Sequence, residues 1–156
     1  MKYLPKSKCK KSGLVLLLIF GLLQFIPRPE KNISLSVKNG IEHLYPMPDS
    51  ILLILKTACY DCHSNNTDYP WYSKIQPVAW FQNRHIVAGK AELNFDEFGS
   101  YSKRRQQSKL KAIASQVNDG DMPLTSYKLM HSGARLSDKE YNMLHNWLEE
   151  MNNKKE

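Results

Sequence analysis

The sequence predicts an all-α protein: a bundle of short helices around one site, preceded by an N-terminal apolar helix. Three observations point there. Apolar residues recur at helical spacing in several stretches, no stretch alternates apolar and polar residues as a half-buried strand would, and an isolated apolar run, 14–26, follows a lysine-rich start. At 156 residues the chain has room for one modest core, and 42% hydrophobic residues mark it as globular.

The net charge of +7 suggests nucleic acid, but its distribution does not. Residues 1–27 hold five lysines and no acid, leaving 17 basic and 15 acidic residues in the remainder. The basic excess belongs to a terminal tail, and no nucleic-acid partner is expected. Residues 1–12 read as a cytoplasmic tail and 13–27 as an uncleaved signal anchor or transmembrane helix. The run 14–26 would reach about 20 Å against a bilayer core of ~30 Å, so flanking residues must complete the span. No small-residue cleavage pattern follows it. Lysines on the near side place the chain after Pro29 outside a bacterial inner membrane, in the periplasm.

Residues 28–48, with Pro29, Pro46 and Pro48, read as a linker. Asp49 or Ser50 can cap a helix through Ala58. Residues 64–70 are turn chemistry, a short helix follows over 71–75, and a helix from Pro77 would align Val78, Phe81, His85 and Ala88. Asn94 can cap the next turn. From Ser102, the residues Leu110, Ile113, Ala114 and Val117 share a face until Asn118, Asp119 and Gly120 end the helix, and Lys103, Arg104, Arg105, Lys109 and Lys111 occupy its other faces. Ser137 and Glu140 form a capping box ahead of an apolar stripe of Tyr141, Leu144, Leu148 and Met151.

The chemistry concentrates in Cys59, Tyr60, Asp61, Cys62 and His63. C-x-x-C-H is the attachment pattern for c-type haem: two thiols reach the vinyl groups of one porphyrin, and the adjacent imidazole turns under the ring to the iron. A thioredoxin-like pair would need a βαβ setting, which the preceding segment lacks. A zinc site needs more ligands than the scattered histidines His43, His85, His131 and His145 offer, and a Cys59–Cys62 disulfide would close a very small loop. Cys59 and Cys62 are therefore read as thioether sites for one covalent haem, and His63 as the proximal iron ligand.

Met122 is the candidate sixth ligand, in a loop between helices and followed by Pro123. His85 and His131 are its rivals, and either would make a bis-histidine haem. Tyr69, Trp71, Tyr72, Trp80 and Phe81 are expected to wall the pocket, and Met47, Met130, Met143 and Met151 to fill packing.

With these residues in place, the sequence resembles the haem-binding domain family of small, membrane-anchored, cytochrome c-like bacterial proteins. The likeness spans about residues 40–151. It rests on Cys59 to Asn65, Tyr69 to Tyr72, Pro77 to Trp80, His85, Leu93 to Phe95, Gly120 to Pro123, Tyr127, His131, Leu136 and Ser137. The resemblance implies a cytochrome c-like helical arrangement, here a haem c-binding domain over 49–151 and a polar tail over 152–156.

A mono-haem, membrane-anchored, periplasmic electron carrier is the leading reading, with no catalytic residue assigned. Its partners would be haem, the membrane through the N-terminal anchor, and a redox protein that the sequence does not specify. Two alternatives stay open: a haem peroxidase, using a vacant sixth position and His85 as acid–base group, and a haem-based gas or redox sensor.

Overall fold

The computed structural model describes residues 6–34 and 39–153. Residues 1–5 of the expected tail, 35–38 of the expected linker and 154–156 of the expected polar tail lie outside the described residues. Among the described residues there are seven α-helices and four short 3₁₀ helices, and no strand. The chain forms two units: Met1–Lys31 with Tyr69–His85, and Asn32–Asp68 with Ile86–Glu156.

In the first unit, helix α1 (Lys6–Leu23) starts among the lysines. It ends where the N–H groups of Gln24, Phe25 and Ile26 reach three residues back to Gly21, Leu22 and Leu23, each at 3.1 Å. That tightening closes the helix ahead of Pro27. This corrects the anchor expected over 13–27. The uncharged part of α1 runs from Ser12 to Leu23, about 18 Å at 1.5 Å per residue, too short for a ~30 Å hydrocarbon core. Among the described residues no helix is long and apolar enough to cross a membrane.

Gln24 interrupts the apolar run for a local reason. Its amide donates to Gln76 O at 3.0 Å and accepts from Gln76 N at 3.1 Å, completing both backbone groups of a residue that is only 2% exposed. The expected helix over 71–75 is a 3₁₀ turn, Trp71–Lys74. Helix α4 (Val78–Glu92) follows Pro77. Its stripe is turned from the expected one: Ala79 and Ile86 are buried, whereas Val78 and Phe81 are well exposed. The hydrophobic pattern misleads because, Ile86 apart, small and polar residues such as Ala79 and Gln82 occupy the inward positions.

The second unit carries the core. Ile41, inside the stretch expected as linker, is wholly buried in a 3₁₀ turn, Ile41–His43. Helix α2 (Asp49–Ala58) starts one residue earlier than its expected caps allow: Pro48 O accepts from Ile51 and Leu52, so Asp49 and Ser50 lie inside the first turn. Ile51, Ile54, Leu55 and Ala58 face inward. Helix α3 (Tyr60–His63) follows at once.

Helix α5 (Lys103–Asn118) is capped by Ser102 Oγ, which accepts from Arg105 N at 3.4 Å, and it buries Leu110. Gly120, at φ 75°, turns the chain away after it, in a region that a side chain rarely adopts. A short helix, α6 (Thr125–Met130), was not foreseen from the sequence. Helix α7 (Asp138–Asn153) opens with the capping box: Glu140 Oε2 accepts from Ser137 N at 2.8 Å, and Ser137 Oγ accepts from Glu140 N at 3.4 Å. It buries Leu144, Trp147, Leu148 and Met151. These side chains pack with those of α2, Ile41, Phe95, Phe98 and Leu110 in one cluster.

Leu144 is 0% exposed at the centre of that cluster. Leu144→Ala is expected to cost about 2–5 kcal/mol, through lost transfer energy and the remaining cavity. Urea denaturation of the haem-free chain should show a lower midpoint at unchanged slope, and a loss below ~1 kcal/mol would contradict the packing described.

Candidate functional site

Helix α2 ends at Ala58, and Cys59 leaves helical geometry at φ −127°, ψ −39°. Its carbonyl accepts from Cys62 N at 3.2 Å and His63 N at 3.0 Å, so the motif folds as one helical turn. Residues three and four apart share a helix face, which brings Cys59, Cys62 and His63 to one side. The two intervening residues point elsewhere. Tyr60 enters the core, stacked on Phe95 at 5.2 Å, and Asp61 accepts from Tyr127 Oη at 2.7 Å.

His63 is held by the end of α4. Its Nδ1 lies 3.0 Å from both Gly89 O and Leu93 O. Two carbonyls can only accept, so Nδ1 carries the proton and Nε2 keeps a free lone pair, the tautomer a metal-binding imidazole needs. Burial pulls the His63 pKa below its usual value, against the two carbonyl bonds and Glu92. The ring therefore stays neutral at physiological pH.

Gly89 is required by the same junction. A Cβ there would stand 2.6 Å from Cys62 O, a backbone atom. An isolated glycine inside a helix was the one sequence signal of this close approach.

Beside the motif lies a cavity of about 350 Å³, lined by Ala58, Cys59, His63, Glu92, Leu93, Phe95, Lys109, Ala112, Ile113, Gln116, Val117, Met122 and Pro123. Its volume falls within the ~300–1,000 Å³ of cofactor pockets. The lining is chiefly apolar, as a porphyrin face requires. It holds one histidine and one methionine, both candidates for the iron, and one of the two motif thiols. A haem fits this donor set.

Both thiols are free, and burial raises them above the ordinary 9.0: Cys59 to about 12, with Cys62 adding to the effect, and Cys62 to about 11, with Asp61 adding. Among the described residues no three His, Cys, Asp or Glu side chains gather to hold a metal ion by themselves.

The rival ligands occupy other settings. His131 stacks on Tyr127 at 4.0 Å, with Nδ1 3.2 Å from Tyr127 O, and it does not line the cavity. His85 belongs to the first unit, its ring edge-on to Phe81 at 4.4 Å. The aromatic wall also differs from expectation. Phe95 is the aromatic residue of the lining, while Tyr69, Trp71, Tyr72, Trp80 and Phe81 belong to the first unit, where Trp71 is 72% exposed. Much of the apolar wall comes instead from α5, where Ile113 and Val117 continue the helix's packing stripe.

At the cavity's edge Lys109 pairs with Glu92, whose carboxyl it holds below the usual value. The lysine side chain is only 16% exposed. Comparison with curated proteins and with solved structures finds no match. A family model described as a haem-binding domain matches residues 18–150. That match takes in every residue of the cavity and of the motif, and the chain belongs to the haem-binding domain family.

Proposed function

We propose that this chain is a c-type, mono-haem electron-transfer protein working on the exported side of a bacterial inner membrane. The observation that carries the proposal is the single cavity in which His63, with its Nε2 lone pair free, is accompanied by Cys59 and Met122. Haem, once bound, supplies a one-electron iron couple.

The chain's own residues do the rest. The Cys59 and Cys62 thiols would hold the haem by thioether bonds, each sulfur bonding to one vinyl carbon while its hydrogen passes to the other. Burial keeps both as thiols until then, because the thiolate is the form that oxidises readily. The Gly89 and Leu93 carbonyls aim the His63 lone pair into the cavity. Met122 would offer the iron a thioether, a soft ligand that favours the reduced state. Ile113, Val117, Leu93 and Phe95 exclude water, which limits reorganisation when an electron arrives. The lysine-flanked apolar segment at the N-terminus has the character of an export signal, and thioether attachment takes place outside the inner membrane.

Pyridine haemochrome spectroscopy on protein made in a strain competent for c-type maturation should report about one covalent haem per chain. Pigment that extracts fully into acidified organic solvent would sink the proposal. In the ferric protein a weak band at about 695 nm should mark methionine ligation, and Met122→Ala should abolish it while the covalent haem remains.

A second expectation concerns the haem-free chain. The folded form holds both thiol protons above pH 9.0, where the unfolded chain releases them. The thiols' contribution to stability should thus be constant below about pH 8 and be lost as pH rises from 9 toward 11, whereas His63, whose pKa is lowered by burial, makes stability fall on the acid side of its usual value. Iodoacetamide at pH 8–9 should alkylate the folded chain much more slowly than the urea-unfolded one, and equal rates would contradict the burial of the thiols.

A further inference from the structure

We infer that the Tyr127–Asp61 hydrogen bond is the positioning device that keeps Met122 over the haem cavity. The inference rests on the proposed ligation by Met122 and adds to it the residues that hold the ligand in place.

Met122 sits in a loop with a tether on each side. On its N-terminal side, Met122 N donates to Gln116 O of α5 at 3.1 Å. On its C-terminal side the chain enters α6, a six-residue helix that buries no side chain. Between Pro123, which lines the cavity, and Ala134, which is 0% exposed, no residue is buried, and Leu129 and Met130 are 73% and 55% exposed. A helix this short has little stability of its own, and the side chains it turns inward, Tyr127 and Lys128, are only half-buried.

What ties it to the attachment turn is Tyr127 Oη, donating to Asp61 Oδ2 at 2.7 Å. Asp61 is a well-braced acceptor. Its other oxygen accepts from Asp68 N at 3.0 Å, and its carbonyl accepts from Thr67 Oγ1 at 2.6 Å. Thr67 Oγ1 in turn accepts from Asn32 Nδ2 at 3.0 Å.

The placement has a direct consequence. Asp61 lies between the two thioether cysteines, on the side of the helical turn away from them, and Tyr127 lies five residues after Met122. The bond therefore links the turn that carries His63 to the segment that follows Met122, beside the buried Pro123 and the bond from Arg135 Nε to Lys128 O at 3.0 Å. Without it the loop can lift and another ligand can take the iron's sixth position. A hydrogen bond to a carboxylate is among the stronger ones, so its loss should be large enough to read as a change in ligand competition.

The test uses the mature holoprotein and imidazole as the competing ligand. Tyr127→Phe keeps the ring that stacks on His131 and removes only the hydroxyl. Covalent haem content should be unchanged, and imidazole should displace the methionine, read as loss of the ~695 nm band, at about tenfold lower concentration.

Asp61→Asn keeps an acceptor oxygen and should give a smaller shift in the same direction. The double variant should be no worse than Tyr127→Phe alone, because both changes act through one bond. Imidazole affinity equal to that of the parent in Tyr127→Phe, or additive effects in the double variant, would overturn the inference while leaving Met122 as ligand. A parent protein without the band would remove the ligand reading and this inference together. Thermal stability does not decide the matter, since a merely structural bond would lower it without changing imidazole competition.

Discussion

The site depends on one junction, the bonds from His63 Nδ1 to the carbonyls of Gly89 and Leu93. The Gly89 carbonyl already accepts from Leu93 N at 2.8 Å and takes the imidazole on its second lone pair, while Leu93 O lies just past the helix end, and an imidazole taken out of water must keep its N–H bonded or lose several kcal/mol. The end of α4 gains a donor, and the imidazole gains an orientation, a tautomer and a neutral charge state. The closeness that makes this possible is set by Gly89, where any side chain would strike the backbone of Cys62.

From that junction the rest of the pocket follows as layers of support. Tyr60 stacks on Phe95 and thereby fastens the motif turn to the segment just after α4. Phe95 is in turn positioned by Asn94, whose side chain accepts from Asp96 N at 3.1 Å while its backbone N–H donates to Tyr101 Oη at 2.9 Å. Asp96 then accepts from Asn65 N at 2.7 Å, just beyond His63. The polar groups of this network are satisfied pairwise, and their burial carries no unpaired cost. The opposite wall is supplied by α5, whose inner residues serve the core at Leu110 and the cavity at Ile113 and Val117.

The electrostatics of the cavity are sparse. Glu92 and Lys109 place one pair of opposite charges at an otherwise apolar edge, and the same two residues act on His63 in opposite directions. The apolar surroundings leave this single pair as the main local charge acting on the His63 ring.

Local signals carried much of this architecture in the sequence. C-x-x-C-H specifies its own helical turn, Ser137 and Glu140 specify the start of α7, and the spacing of Leu110, Ile113 and Val117 specifies the inner face of α5. Each of these is decided by residues within about one or two turns of each other. Other features needed the folded chain. Apart from Ile86, the inward positions of α4 hold small and polar residues such as Ala79 and Gln82, so hydrophobic spacing pointed to the wrong stripe. The apolar start is a helix that ends at Leu23, because Gln24 is recruited by Gln76, 52 residues away. Residues 39–48 look like linker because they contain prolines, yet Ile41 is buried in the core. The bond from Tyr127 to Asp61 joins residues 66 apart in the chain, and no local pattern announces it. The sequence by itself determined where the C-x-x-C-H turn lies and that α2, α5 and α7 form, because those are set by neighbours along the chain. Only the tertiary structure decided which histidine and which methionine line one cavity, because that depends on contacts between segments far apart in the chain.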